Sequence, residues 1–314
     1  MALRISHLFA HCAVPIFLFI SGFLLARDRS PSFGAFVVER LRRIAVPGLL
    51  WMTVALGWDA WRGGRLTSDL LHQFLLFNIE GQFYFLVVLA MLMTAGYPLR
   101  HASARTVAIV TGVAFVAGLG MVGWYGQQDI AGDFATFAYR NPLVWAYFYA
   151  FGLLANRTHG TVSWGPRVET AAVVGMVATF AVYLWQGETY GYPVSYFGVT
   201  VYLFSSLGLI VYPFSARLML RVRVARLLTM PLAWLSPLSF GVFLIHKPYF
   251  LGWLSSTVLE GTRFEGSWGQ LMLANFVVGG VAAIAFVSVV DRVWPRSALL
   301  LGIERHASRP VLGT

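Results

Sequence analysis

The chain has 314 residues, of which 58% are apolar and only 11% are charged, and its formal net charge is +10. Soluble domains carry roughly 45–50% apolar and about 25% charged residues, so this composition excludes a soluble globular domain, a disordered chain and a coiled coil. It is typical of a protein that crosses a lipid bilayer several times.

Long apolar runs separated by short polar joints predict the transmembrane segments. A bilayer core about 30 Å thick needs about 20 apolar residues per helix, and these runs are apolar on every face, so we predict helices rather than barrel strands. The predicted fold is an all-α, polytopic bundle of about nine transmembrane helices, forming one integral membrane domain over residues 1–314. The predicted spans cover residues 8–26, 44–61, 82–99, 106–125, 142–156, 168–186, 196–214, 236–256 and 268–290.

The distribution of arginine predicts how the bundle is oriented. The joints 27–43, 100–105, 157–167 and 215–226 and the tail after residue 291 hold 17 arginines, whereas the alternate joints hold four. The positive-inside rule therefore predicts that the arginine-rich side is cytoplasmic, with the N-terminus outside and the C-terminus inside, in a bacterial inner membrane. This rule also explains the positive charge without a nucleic acid partner.

Two of the arginine-rich segments have a further pattern. Residues 33–43 and 215–228 are cationic and amphipathic at helical spacing, which predicts helices lying at the cytoplasmic interface. At the beginning of the chain only Arg4 precedes the first span, so residues 1–26 are predicted to be a retained helix rather than a cleaved signal peptide.

Two stretches of sequence carry a resemblance to a known family. The first runs from PIFLFISGF to FGAFVVERLRRIAVP, and the second is SFGVFLIH. The matching positions are Pro15, Phe17, Ser21, Gly22, Phe23, Phe36, Arg40, Arg43, Ile44 and Pro47 in the first and Ser239, Phe240, Gly241, Phe243, Leu244 and His246 in the second. With looser similarity in GQFYFLVVLAMLMTAGYPL and NPLVWAYFYAFGLLANR, the chain resembles the membrane-bound acyltransferase 3 family.

The resemblance implies an activity, but the chain departs from the family's usual pattern in one respect. Members of that family move an acyl group, most often acetyl, from cytoplasmic acyl-CoA to a hydroxyl of a carbohydrate or glycolipid. Their usual ten spans include a first helix with the His generally taken as catalytic. Neither His7 nor His11 can end such a separate helix, because both lie too close to Ser21. We therefore expect an upstream truncation or an inactive member, and a polysaccharide or lipid exporter is the alternative function.

Arg40 and Arg43 are the predicted donor site. They are one helical turn apart and share a face, whereas Arg42 points elsewhere. Anchoring to lipid phosphates is the alternative, but the resemblance favours the phosphates of acyl-CoA, which guanidinium groups match well. Ser21 is placed with them as an acyl-CoA-binding residue, although close helix packing also explains Ser21 and Gly22.

His246 is the predicted catalytic residue. It lies about ten residues into the eighth predicted span, where an ionisable side chain is costly and usually faces a cavity or a partner. There it could act as the base for an acceptor hydroxyl. A hydrogen-bonded structural histidine is the alternative.

Glu80, Gln82 and Tyr84 precede the third span on its outer side, and of these we predict that Glu80 and Tyr84 bind the acceptor. Acids, amides and aromatic rings bind sugars, although an interfacial aromatic belt also explains the tyrosine. No metal is predicted, because His7 and His11 lack a third ligand and Cys12 is the single cysteine. No tightly bound cofactor is expected, and acetyl-CoA is a co-substrate.

Overall fold

The structure is a computed structural model that describes residues 8, 11–63, 65–77, 79, 82–128, 137–159, 164–190, 197–221, 236–246, 268–294 and 300–302. Within these residues the secondary structure is helical and contains no strand. The helices are α1 (Ala13–Leu25), α2 (Phe33–Arg40), α3 (Val46–Arg62), α4 (Ser68–Leu75), α5 (Tyr84–Gly96), α6 (Ala104–Tyr125), α7 (Pro142–His159), α8 (Pro166–Tyr190), α9 (Val199–Arg221), α10 (Ser239–Ile245) and α11 (Trp268–Val293).

Four helical segments in the described part of the chain are long and apolar enough to cross a bilayer. They are Phe33–Trp61, Ala104–Tyr125, Pro166–Thr189 and Val199–Arg221. A shorter apolar helix, Ala13–Leu25, falls within the first predicted span. These helices confirm the predicted all-α membrane bundle, whereas the total of about nine spans and the single domain stay predictions.

The segment predicted as a separate interfacial helix, residues 33–43, is continuous with the following span. A π-helical turn, Leu41–Ala45, joins α2 to α3, and the amide of Val46 donates to the carbonyl of Leu41. Pro47 has no amide hydrogen to donate to the carbonyl of Arg43, so a normal α-helical turn would be incomplete at this point. The helix widens into a π turn instead of ending.

The chain divides into two compact units, of which the first comprises Met1–Phe33 and Val87–Arg226. In the first unit α1 and α7 cross at a pair of glycines. A Cβ atom added at Gly22 would lie 1.9 Å from the carbonyl oxygen of Tyr149, and one added at Gly152 would lie 1.9 Å from that of Phe19. Small residues therefore let the two backbones touch, as is common between membrane helices.

Apolar side chains fill the space between the beginning of the chain and helices α8 and α9. The buried members of this cluster are Leu8, Cys12, Met176, Tyr183, Val201 and Phe204. An ion pair between Arg217 and Glu169 also joins α9 to α8. Burial of these side chains contributes to the core of the first unit.

The second unit comprises Gly34–Leu86 and Leu227–Thr314. Trp51 on α3 packs edge-on against Phe286 on α11, with ring centroids 6.3 Å apart. The indole Nε1 of Trp51 also donates to the carbonyl oxygen of Leu300 at 3.0 Å. This tryptophan thus ties α3 both to α11 and to the short turn at residues 300–302.

Candidate functional site

Arg40 directly precedes the π turn and Arg43 lies within it, and each contacts a different neighbour. The guanidinium carbon of Arg40 lies 5.1 Å from the ring centroid of Phe36, which is only 1% exposed. The Nη2 of Arg43 lies 2.5 Å from Oε1 of Glu39, one turn earlier. Arg42 is exposed. The predicted donor pair is therefore oriented by an aromatic ring at one residue and by a carboxylate at the other.

The structure brings the two sequence motifs together at one glycine of the second unit. Gly302 has a φ of +66°, which suits a glycine. A Cβ atom there would lie 2.4 Å from Cδ1 of Phe240 and 3.0 Å from the carbonyl oxygen of Arg43. The arginine-bearing turn of the first motif and the aromatic ring of the second motif therefore lie against the same residue.

His246 follows the last residue of α10 and is half-buried. Its Nδ1 lies 2.9 Å from the carbonyl oxygen of Phe243 and 3.2 Å from that of Val242. Carbonyl oxygens only accept hydrogen bonds, so we assign the ring proton to Nδ1. In neutral His246 the basic nitrogen is then Nε2, which is the arrangement that a general base needs.

The segment predicted to bind the acceptor lies against α10. The Nε2 of Gln82 donates to the carbonyl oxygen of Leu244 at 3.0 Å, and the rings of Phe85 and Phe243 meet edge-on at 5.4 Å. Tyr84 is the first residue of α5 and is half-buried, whereas Glu80 lies outside the described residues. Gln82 thus contacts α10 through a side-chain hydrogen bond; it belongs to the predicted outer group, although only Glu80 and Tyr84 of that group are predicted to bind the acceptor.

Ser21 lies in the first unit, on α1. Its Oγ donates to the carbonyl oxygen of Phe17 at 2.8 Å, a bond within its own helix. The adjacent Gly22 forms the close helix crossing. The packing explanation accounts for both residues, and binding of acyl-CoA by Ser21 stays a prediction.

His11 is a buried histidine for which the sequence provided no role. It is 5% exposed and lines a cavity of about 10 Å³ in the first unit, enough for one water molecule. The other lining residues are Pro15, Val144, Trp145, Phe148, Val201, Tyr202 and Ser205. Its place in the apolar span predicted over residues 8–26, four residues before Pro15, is the signal that could have indicated this burial.

Metal-ligating side chains do not gather in the part of the chain that the structure covers. No group of three or more His, Cys, Asp or Glu residues is placed there to hold an ion. Cys12 is buried, with its Sγ 3.7 Å from the Oγ of Ser205. The absence of a metal from the protein stays a prediction.

Comparison with known proteins identifies the family. The model of the acyltransferase 3 family, described as an acyltransferase domain, matches residues 2–292. No curated protein and no solved structure gives a significant match. The matched range contains both motifs, the arginine pair and His246. The chain therefore belongs to the acyltransferase 3 family and is a membrane-embedded acyltransferase.

Proposed function

We propose that the protein transfers an acetyl group from acetyl-CoA to a hydroxyl of a carbohydrate or glycolipid. The observation that carries this proposal is the meeting of the two motifs in the second unit. Gly302 adjoins both the carbonyl of Arg43 and the ring of Phe240, and Phe240 lies on the helix that leads to His246. Cations suited to the donor and a base suited to the acceptor thus belong to one packed unit.

The donor is assigned from the length and charge of the helix that carries the arginines. The segment Phe33–Trp61 has 29 residues, and at about 1.5 Å per residue it is roughly 44 Å long, against a hydrocarbon core of about 30 Å. Its arginine-bearing end can therefore lie outside the hydrocarbon. Guanidinium groups there can bind the phosphates of acetyl-CoA from water while the acyl arm enters the bundle.

The reaction requires one base and one leaving group. The acceptor hydroxyl gives its proton to Nε2 of His246 as its oxygen attacks the thioester carbonyl, and a carbon–oxygen bond forms. The carbon–sulfur bond then breaks and the thiolate of CoA leaves, taking the proton from the imidazolium. Ester, free CoA and neutral histidine result. Holding both substrates in one site supplies much of the acceleration.

The test is release of the CoA thiol by the purified protein in lipid nanodiscs. Acetyl-CoA is the donor, and methyl glycosides of glucose, galactose and mannose are the acceptors. We expect acetylated glycoside and free CoA in equal amounts. In the Arg40→Ala/Arg43→Ala variant the KM for acetyl-CoA should rise by at least about a hundredfold, since each of the two charged contacts is worth about 1.5–3 kcal/mol.

Arg42→Ala is the matched control, because Arg42 is an exposed arginine of the same π turn. We expect its KM for acetyl-CoA to remain within about threefold of that of the unmodified protein. Equal losses in the control and in the double variant would contradict the donor assignment. Absence of any acetyl-CoA turnover would overturn the proposed enzyme activity and favour the exporter.

A further inference from the structure

The side-chain amide of Gln82 is satisfied on one side only. Its Nε2 donates to the carbonyl oxygen of Leu244 at 3.0 Å. The residue is 8% exposed, and its Oε1 has no hydrogen-bond partner within the described residues. A buried polar atom without a partner is costly, and most buried polar atoms in proteins have one.

The orientation of this amide follows from its partner. The Leu244 carbonyl can only accept, so the nitrogen of Gln82 must face it and the oxygen must lie on the other branch of the amide. Exchanging the two atoms would place two oxygens together. Oε1 is therefore a fixed acceptor that can be satisfied by an O–H or N–H group.

The position of Gln82 relates it to the proposed base. Leu244 lies on α10, two residues before His246. The packing of Phe85 against Phe243 holds the same two elements together. Gln82 thus has its Nε2 hydrogen-bonded to the helix that leads to His246, while its Oε1 is an acceptor that the described part of the chain leaves unsatisfied.

We propose that Oε1 of Gln82 accepts a hydrogen bond from a second hydroxyl of the acyl acceptor, next to the hydroxyl that reacts at His246. The inference rests on the proposed function and narrows it to acceptors with at least two neighbouring hydroxyls, as carbohydrates have. The Gln82 oxygen is neutral, and in a buried position it favours an uncharged O–H donor over a charged group.

The experiment measures acetyl transfer to methyl α-glucoside, methyl α-galactoside and methyl α-mannoside and to the monodeoxy analogues of each. In the unmodified protein, removing one particular non-reacting hydroxyl should lower kcat/KM about tenfold, because Oε1 loses its donor. In Gln82→Met, kcat/KM for the parent glycoside should fall about tenfold. This variant should then use the parent glycoside and that deoxy analogue equally well. Gln82→Glu should keep the distinction between the parent glycoside and the deoxy analogue, because in this buried position a protonated carboxyl can donate to the carbonyl of Leu244 and still offer an acceptor oxygen.

Gln186→Met is the matched control, because Oε1 of Gln186 already accepts a hydrogen bond from Oγ1 of Thr200 at 2.9 Å. It should distinguish the deoxy analogues as the unmodified protein does. Equal loss of the distinction in Gln82→Glu and Gln82→Met would show a structural role only and would overturn the inference.

The remaining outcomes separate the inference from the proposed function. If the unmodified protein acetylates the glycosides but treats every deoxy analogue alike, the role of Gln82 is wrong and the acyltransferase reaction stands; this comparison needs no variant to fold. If acetyl-CoA is not consumed, or if no glycoside is acetylated, the proposed function fails and the inference fails with it.

Discussion

Glu39 and Arg43 form an ion pair along the helix, with Oε1 of the acid 2.5 Å from Nη2 of the arginine. Both side chains are about one-third exposed, at 36% and 35%, so water screens the pair. An incoming phosphate must compete with the carboxylate for the same guanidinium group. The acid is therefore expected to weaken donor binding while adding little to stability.

Glu39→Gln should strengthen the binding of acetyl-CoA. Removing the carboxylate removes one competitor for the guanidinium group of Arg43 and a negative charge that repels phosphate. We expect the dissociation constant to fall about two- to fivefold, the effect of an exposed ion pair worth up to about 1 kcal/mol. Isothermal titration of acetyl-CoA into the protein measures it.

Asp69→Asn provides the control for this effect. Asp69 is an exposed acid on α4 whose Oδ2 accepts a hydrogen bond from Gln73. It has the same charge as Glu39 but belongs to another helix. If both substitutions strengthen binding equally, the effect comes from net charge and not from the contact with Arg43.

Arg40→Ala and Arg43→Ala should differ in their effect on stability. Arg40 lies over the buried ring of Phe36, so its removal also uncovers apolar surface and should cost about 1 kcal/mol. The pair of Arg43 with Glu39 is about one-third exposed and screened by water, so Arg43→Ala should lower the melting temperature less than Arg40→Ala does. Thermal unfolding in detergent measures the melting temperature of both variants. A larger decrease for Arg43→Ala than for Arg40→Ala would contradict the packing of Arg40 on Phe36.

His246→Ala should abolish most activity without unfolding the protein. Loss of a general base lowers the rate about 10²–10⁴-fold. His246→Asn provides a sharper comparison, because its amide nitrogen can still donate to the carbonyls that Nδ1 contacts, at Val242 and Phe243. Both variants should be inactive in acetyl transfer, but Asn should retain the stability of the unmodified protein. Activity retained in either variant would leave His246 a structural role.

Hydropathy and spacing alone predict the helical fold well. Apolar runs of nearly 20 residues can be satisfied in lipid only as helices, so their class follows from composition. The boundary at residues 33–46 was less predictable, since it depends on the missing amide of Pro47 and on the tolerance of the helix for a π turn. A sequence pattern shows where an amide is absent, but it does not show whether the helix ends or widens.

The candidate site was predictable only in part, because its contacts join residues far apart in the chain. The Arg40 and Arg43 pattern is local and can be recognised from spacing. The bond between Gln82 and Leu244 spans 162 residues, and no local pattern indicates it. The position of Glu39 four residues before Arg43 does indicate an ion pair, but the sequence alone does not show that this acid competes with phosphate.

Gly22→Ala should destabilise the protein strongly. The new methyl group would meet the carbonyl oxygen of Tyr149 at 1.9 Å, so α1 and α7 would have to separate. We expect a loss of about 2–4 kcal/mol, at the upper end for overpacking. Ser21→Ala and Gly112→Ala should change stability little. The first removes only a hydrogen bond within its own helix, and a Cβ atom added at Gly112 would meet no neighbouring atom of the described residues within 4 Å. If all three variants were equally stable, the close contact between α1 and α7 at Gly22 would be contradicted.

The predicted orientation can be tested with two cysteines placed at opposite ends of the first unit. Arg100 donates to the backbone carbonyl of Ser30 at 3.0 Å and lies 3.5 Å from Oδ1 of Asp28, so two joints predicted to be cytoplasmic meet at one end. Arg29→Cys reports on that end, whereas Gln127→Cys reports on the joint after α6, and both positions are exposed.

In this experiment Cys12 is replaced by serine, and intact cells are treated with a maleimide that does not cross membranes. The positive-inside rule predicts that Gln127→Cys reacts in intact cells and that Arg29→Cys reacts only after permeabilisation. Because Asp28 and Ser30 are tied to Arg100, the loop cannot move far across the interface, and the label reports its side of the membrane. The reverse labelling pattern would place the arginine-rich joints outside. The donor site at Arg40 and Arg43 would then face away from cytoplasmic acetyl-CoA, and the proposed reaction would lose its donor.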